Sequence, residues 1–166
     1  MTKIFIITKR IWDNNNYKKL GTNFVIENKI NLKKINQQKP RIIFFIHWSK
    51  IIKKNLFKNF LCIQFHSSNL PNGKGGSPIQ NQIQRKIKKT KITAFKITDK
   101  IDSGPICMKS NLKLDDNAFE IYKRMEKVSI NMIKKIVKMK KISFKKQIGK
   151  AIFFKRRTPK ESNLKL

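Results

Sequence analysis

The chain has 166 residues, with 40 Lys+Arg against 9 Asp+Glu and a formal net charge of +31. Its length suits one domain with a real core, and 39% hydrophobic residues exclude a disordered basic tail. The cationic excess predicts attraction to phosphate-bearing partners and non-specific polyanion binding. It is nearly all lysine, spread among Ile, Asn and Phe, so an origin in A/T-rich codons stands beside a selected one.

In chain order, short apolar runs predict strands at residues 3–7, 23–26, 41–46, 61–65, 91–97 and 105–108. The run from Arg41 to Ile46 is continuously apolar, as in a parallel sheet buried on both faces. Helices are expected at 12–20, 30–37, 50–58, 77–88 and 117–139. The last opens on Asp115-Asp116-Asn117, which favours helix initiation. It carries Ala118, Ile121, Met125, Val128, Met132 and Ile136 as one apolar stripe, read as core. Residues 151–154 offer a further strand before the basic cluster Lys155-Arg156-Arg157.

Alternating strands and helices imply an α/β fold: an open, Rossmann-like, mostly parallel sheet flanked by helices. A helical C-terminal part and a short basic tail would follow. The expected organisation is a catalytic core at 1–112, with the helix and tail of 113–166 packed on the same domain. No G-x-G-x-x-G follows the first strand, which argues against an N-terminal dinucleotide site. No apolar stretch reaches the roughly 18 residues of a membrane span. The start lacks the features of a signal peptide. Cys62 and Cys107 are unclustered, so no zinc site is expected. Together these predict a metal-free cytoplasmic protein with reduced thiols.

The chemistry-bearing stretch runs from 62 to 106. His66 ends a predicted buried strand, where ligands of open α/β sheets bind. A polar, glycine-rich segment follows, then Pro78 at the start of a helix. Asp102 lies in Asp102-Ser103-Gly104-Pro105 after the strand at 91–97, so it should meet His66 if those strands are neighbours. A histidine oriented by a carboxylate is a common acid–base pair near neutral pH. Each feature alone has a plain structural reading; their ordered spacing is what points to a site.

That order resembles the formyltransferases that use N10-formyltetrahydrofolate. The matching elements are His66, Ser68, Leu70-Pro71, Lys74-Gly75-Gly76-Ser77-Pro78-Ile79-Gln80 and Asp102-Ser103-Gly104-Pro105. The resemblance extends over about 41–162, with a shortened part before it. It implies catalysis by His66, Asp102 and Gln64, where Gln64 stands at a position the family fills with Asn. The His and the amide would stabilise the formyl oxygen while Asp102 holds His66. A lost oxyanion donor costs on the order of 100-fold, and Asn69 or Asn81 could substitute. Folate would be held by His47, Trp48, Asp99 and Ile101. The amine substrate would be held by Ser68, Lys74, Gly75, Gly76, Ser77, Gln80, Asn81, Arg156 and Arg157.

The favoured acceptor is an amino sugar on a nucleotide, from the Gly-Gly-Ser-Pro-Ile-Gln-Asn stretch and the Lys-Arg-Arg-Thr-Pro tail. The alternative is the methionyl group of initiator tRNA, favoured by the charge; those enzymes carry a further C-terminal barrel-like domain. A third reading is a non-catalytic, basic RNA-binding remnant of the fold. The resemblance also leaves a homodimer open.

Overall fold

The structure, a computed structural model, describes residues 2–161, so Ser162 and the rest of the expected tail lie outside the described residues. Its strands are β1 (Ile4–Thr8), β2 (Phe24–Glu27), β3 (Ile42–Ile46), β4 (Cys62–His66), β5 (Asn72–Gly75), β6 (Lys89–Lys96), β7 (Ile106–Lys113) and β8 (Ile152–Phe154). Its helices are α1 (Asn15–Lys18), α2 (Leu32–Gln38), α3 (Lys54–Asn59), α4 (Pro78–Gln84) and α5 (Ala118–Lys138).

Six strands form one sheet in the order β2-β1-β3-β4-β6-β7. The first four run parallel, while β6 and β7 add in antiparallel sense. The mostly parallel, Rossmann-like α/β class read from the sequence is therefore observed. Every residue of β1 and β3 is buried. Their side chains alternate between two layers. Ile4, Ile6, Ile42, Phe44 and Ile46 pack with Tyr17, Ile79 and the apolar stripe of α5. Phe5, Ile7, Ile43 and Phe45 pack with Ile35 of α2 and Leu56 of α3 on the other face. Each such fully buried Ile or Phe contributes roughly 1.5–3 kcal/mol.

Several boundaries differ from expectation for local reasons. The helix expected at 12–20 shrinks to Asn15–Lys18, because the Trp12 and Asp13 N–H groups are bound by the Glu126 carboxylate. The strand expected at 105–108 continues to Lys113 as an edge strand, hidden in the sequence by Lys109, Ser110 and Asn111. Residues 151–154 yield β8, which joins no part of the main sheet. It pairs in parallel with β5, a strand formed by the glycine-rich segment after His66. Asn117 caps α5 by accepting the Glu120 N–H, while Asp115 and Asp116 grip Arg124. Among the described residues, no helix is long and apolar enough to cross a membrane.

Candidate active site

A cleft of about 1010 Å³ opens beyond the carboxyl ends of β3 and β4. That volume is at the upper end for ligand pockets, which suits a large ligand. His66 and Gln64 reach it from one strand. They are two residues apart and therefore share a face.

Nε2 of His66 lies 2.7 Å from the Gly73 carbonyl, which can only accept, so Nε2 carries the hydrogen and donates. Nδ1 then faces Asp102, 3.7 Å from Oδ2. The His66 and Asp102 side chains are only 7% and 8% exposed, so both lie shielded from solvent. The Gln64 amide donates to the Trp48 carbonyl at 3.3 Å, leaving its second hydrogen unassigned.

Asp102 reaches His66 by a route the sequence argument did not foresee. β6 runs antiparallel to β4, with His66 opposite Thr93 and Ile63 opposite Lys96. The end of β6 thus lies beside the start of β4, away from His66. The loop after β6 doubles back to deliver the carboxylate. Asp102 adopts φ 47 within it. The Gly75 N–H donates to Asp102 Oδ2 at 2.8 Å, Lys74 bonds Ser103, and the Gln147 amide holds the Asp102 and Gly104 carbonyls. Gly104 is needed here, because a Cβ would stand 1.6 Å from the Lys96 carbonyl oxygen.

The glycine-rich segment is organised by the tail. At Gly75, φ is +94 and a Cβ would meet the Phe154 carbonyl oxygen at 2.6 Å. Asn81 donates to the Gly76, Ser77 and Lys155 carbonyls, and Ser68 donates to Gly73. Lys74 is buried against Ser103. Arg157 bonds Gln84 and the Glu161 carbonyl. Ser68, Lys74, Asn81 and Arg157 therefore brace the loop, and none of them lines the cleft.

Asn69 accepts from Lys109 and lies outside the cleft as well, whereas His47, Trp48, Asp99, Ile101, Gly75, Gly76, Ser77, Gln80 and Arg156 line it. His47 and Ser77 share the left-handed backbone of Asp102, a strained conformation that clusters at functional sites. Burial pushes the His47 imidazole down to about 4, so it is neutral at physiological pH. Among the described residues, His47 Nε2 and Trp48 Nε1 are buried without a hydrogen-bond partner. Such groups carry a desolvation cost that a ligand can relieve.

One wall was missed in the sequence. Trp12 stacks on Tyr122 with ring centroids 4.8 Å apart and meets the edge of His47. The Arg10 guanidinium covers the Trp12 ring at 4.1 Å. Met125, read as core stripe, also lines the cleft. Tyr122 and Trp12 are 110 residues apart, and no local pattern joins them. Among the described residues, no group of three His, Cys, Asp or Glu side chains is arranged to hold a metal.

Comparison with known proteins agrees with this architecture. The formyl transferase family model matches residues 7–137. The chain belongs to that family. It is 34% identical over 110 residues to a methionyl-tRNA formyltransferase of Kosmotoga olearia, covering 61% of this chain and 35% of that one. The chain thus spans about a third of the length of the curated relatives it matches. A solved methionyl-tRNA formyltransferase from Clostridium thermocellum superposes with TM-score 0.88 at 39% identity, covering 96% of this chain and 74% of that one. An N-formyltransferase from Helicobacter canadensis, solved with folinic acid and dTDP-3-aminofucose, shares the fold. Its TM-score is 0.66 at 18% identity, over 93% of this chain and 71% of that one.

Proposed function

We propose that the cleft transfers a formyl group from N10-formyltetrahydrofolate to a primary amine. The observation that carries this reading is the convergence of Gln64, His66 and Asp102 at the strand ends lining the cleft. The unpartnered His47 and Trp48 nitrogens beside them supply donor-binding capacity. The folate donor fits there as a large heterocycle, held by His47 and Trp48 with Asp99 and Ile101 from the opposing loop.

In this reading the acceptor nitrogen bonds to the formyl carbon and the bond from that carbon to donor N10 breaks. The proton leaving the amine passes to His66 Nδ1 and from there to the departing nitrogen. Asp102 faces the ring nitrogen that takes the proton, and the second Gln64 amide hydrogen meets the negative charge growing on the formyl oxygen.

For the acceptor, the relatives favour the methionyl group of initiator tRNA over the amino sugar preferred on sequence grounds. The curated relatives at 27–38% identity are methionyl-tRNA formyltransferases; a solved sugar relative such as that of Helicobacter canadensis is more distant. The net charge of +31 also suits an RNA. A nucleotide-linked amino sugar is the second reading, supported by Arg156, which reaches the cleft from the tail beside the Ser49 carbonyl.

The deciding experiment measures tetrahydrofolate release with methionyl-initiator tRNA and with a panel of nucleotide-linked amino sugars. Turnover with the charged tRNA is expected. Turnover with sugars alone would reverse the acceptor assignment. No turnover with either, and no binding of 5-formyltetrahydrofolate, would favour the non-catalytic RNA binder.

A further inference from the structure

Glu126 is fully buried in a chain that has only 9 acidic residues. Among the described residues it forms no ion pair with Lys or Arg. Its carboxylate instead receives four donors. Oε2 accepts from the Trp12 N–H at 2.9 Å and the Tyr17 hydroxyl at 3.1 Å. Oε1 accepts from the Asp13 N–H and the Asn16 amide, both at 2.9 Å. Burial, and next the charge of Glu126, push the Tyr17 phenol far up, so it remains a donor. Every partner lies in the connection from β1 or in α1, and Glu126 itself does not line the cleft.

Glu126 stands four residues after Tyr122, on the same face of α5. One stretch of helix therefore grips the Trp12 main chain by a carboxylate and the Trp12 ring by stacking. Tyr122 in turn accepts from Gln80 at 3.0 Å, which ties this wall to α4 and the glycine-rich segment.

We propose that Glu126 is a positioning residue: it clamps the β1–α1 connection so that the Trp12 ring stays stacked on Tyr122 as the wall of the cleft between His47 and Gln80. Its kinetic consequence rests on the formyl-transfer reading; its structural consequence does not. Glu126→Gln tests it, because an amide nitrogen must face two donors whichever way it is turned.

Two readouts are needed. In a Trp48→Phe background Trp12 is the remaining tryptophan, and its quenching by acrylamide reports whether the clamp holds. With Trp48 intact, steady-state kinetics separate KM from kcat. Glu126→Gln is expected to raise Trp12 quenching and to raise KM for the substrates about tenfold. The value of kcat should stay within about twofold. Tyr17→Phe should move both readouts in the same direction by less.

Unchanged Trp12 quenching in these variants overturns the proposal. So does a fall in kcat with unchanged KM values, which would mean Glu126 supports only the fraction of folded protein. If Glu126→Gln does not fold, Tyr17→Phe and Asn16→Ala decide by the same readouts. If the unmodified chain transfers no formyl group to any acceptor, the functional reading has failed, and quenching alone decides the clamp.

Discussion

His66 and Asp102 face each other at 3.7 Å, Nδ1 to Oδ2, while that same oxygen accepts the Gly75 N–H at 2.8 Å. The first distance is longer than a hydrogen bond, so the pair is coupled by charge rather than by a shared hydrogen. The second fixes the carboxylate to the glycine-rich loop. Asp102 therefore holds the loop, and in the proposed reading it also orients the ring that carries the proton.

Separate substitutions distinguish those tasks. His66→Ala removes the proton carrier and should lower kcat by roughly 100- to 10,000-fold. Asp102→Asn keeps an oxygen for the Gly75 N–H but loses the charge, so activity should fall with little change in melting temperature. Asp102→Ala should lower both. Formyl-transfer assays beside thermal melts check this, and full activity in His66→Ala would remove the assignment.

In the proposed reading Gln64 supplies the oxyanion donor, and its amide is tied to the Trp48 carbonyl by a long 3.3 Å bond. Gln64→Asn should keep or raise kcat, because a shorter amide at this position is the arrangement the family resemblance implies. Gln64→Leu should lower kcat by about 100-fold. Single-turnover rates for the two variants provide the comparison; equal rates would show that the amide plays no part.

His47 makes stability depend on pH. Burial lowers its folded-state value to about 4 from an ordinary 6.5, so the folded protein binds this proton less readily than the unfolded chain does. The contribution is fully present above about pH 6.5 and is lost as pH falls towards 4. Urea titrations across that window should show stability declining with acid, and His47→Gln should flatten part of the slope. A slope unchanged in His47→Gln would place the acid sensitivity elsewhere.

Gly104 is a steric test of the loop that delivers Asp102. A Cβ there would collide with the Lys96 carbonyl oxygen at 1.6 Å, and backbone cannot swing aside as a flexible side chain can. Gly104→Ala should cost on the order of 3 kcal/mol and displace Asp102, lowering activity more than stability alone predicts. Gly21→Ala is the control. Its nearest obstacle is the Asn23 side-chain oxygen at 3.2 Å, which can move. Chemical denaturation with activity measured at full folding separates the two effects.

The parallel core was legible in the sequence because its signal is local. Ile42–Ile46 reads as a buried strand since continuous apolar residues can be satisfied only where both sheet faces are covered. His66 and Asp102 were legible as a pair through ordered spacing within one segment. The glycines were legible as a polar segment after His66, but that β8 and Arg156 pack against them was not. Tertiary structure alone decided how Asp102 reaches His66, because the antiparallel sense of β6 sends its end the wrong way and a folded-back loop corrects it. It alone joined Trp12 to Tyr122 and Glu126, and Gln147 to the Asp102 loop. Periodicity and propensity describe neighbours within a few residues, whereas these contacts span 45 to 114 positions. They exist only once burial has brought distant segments to one cleft.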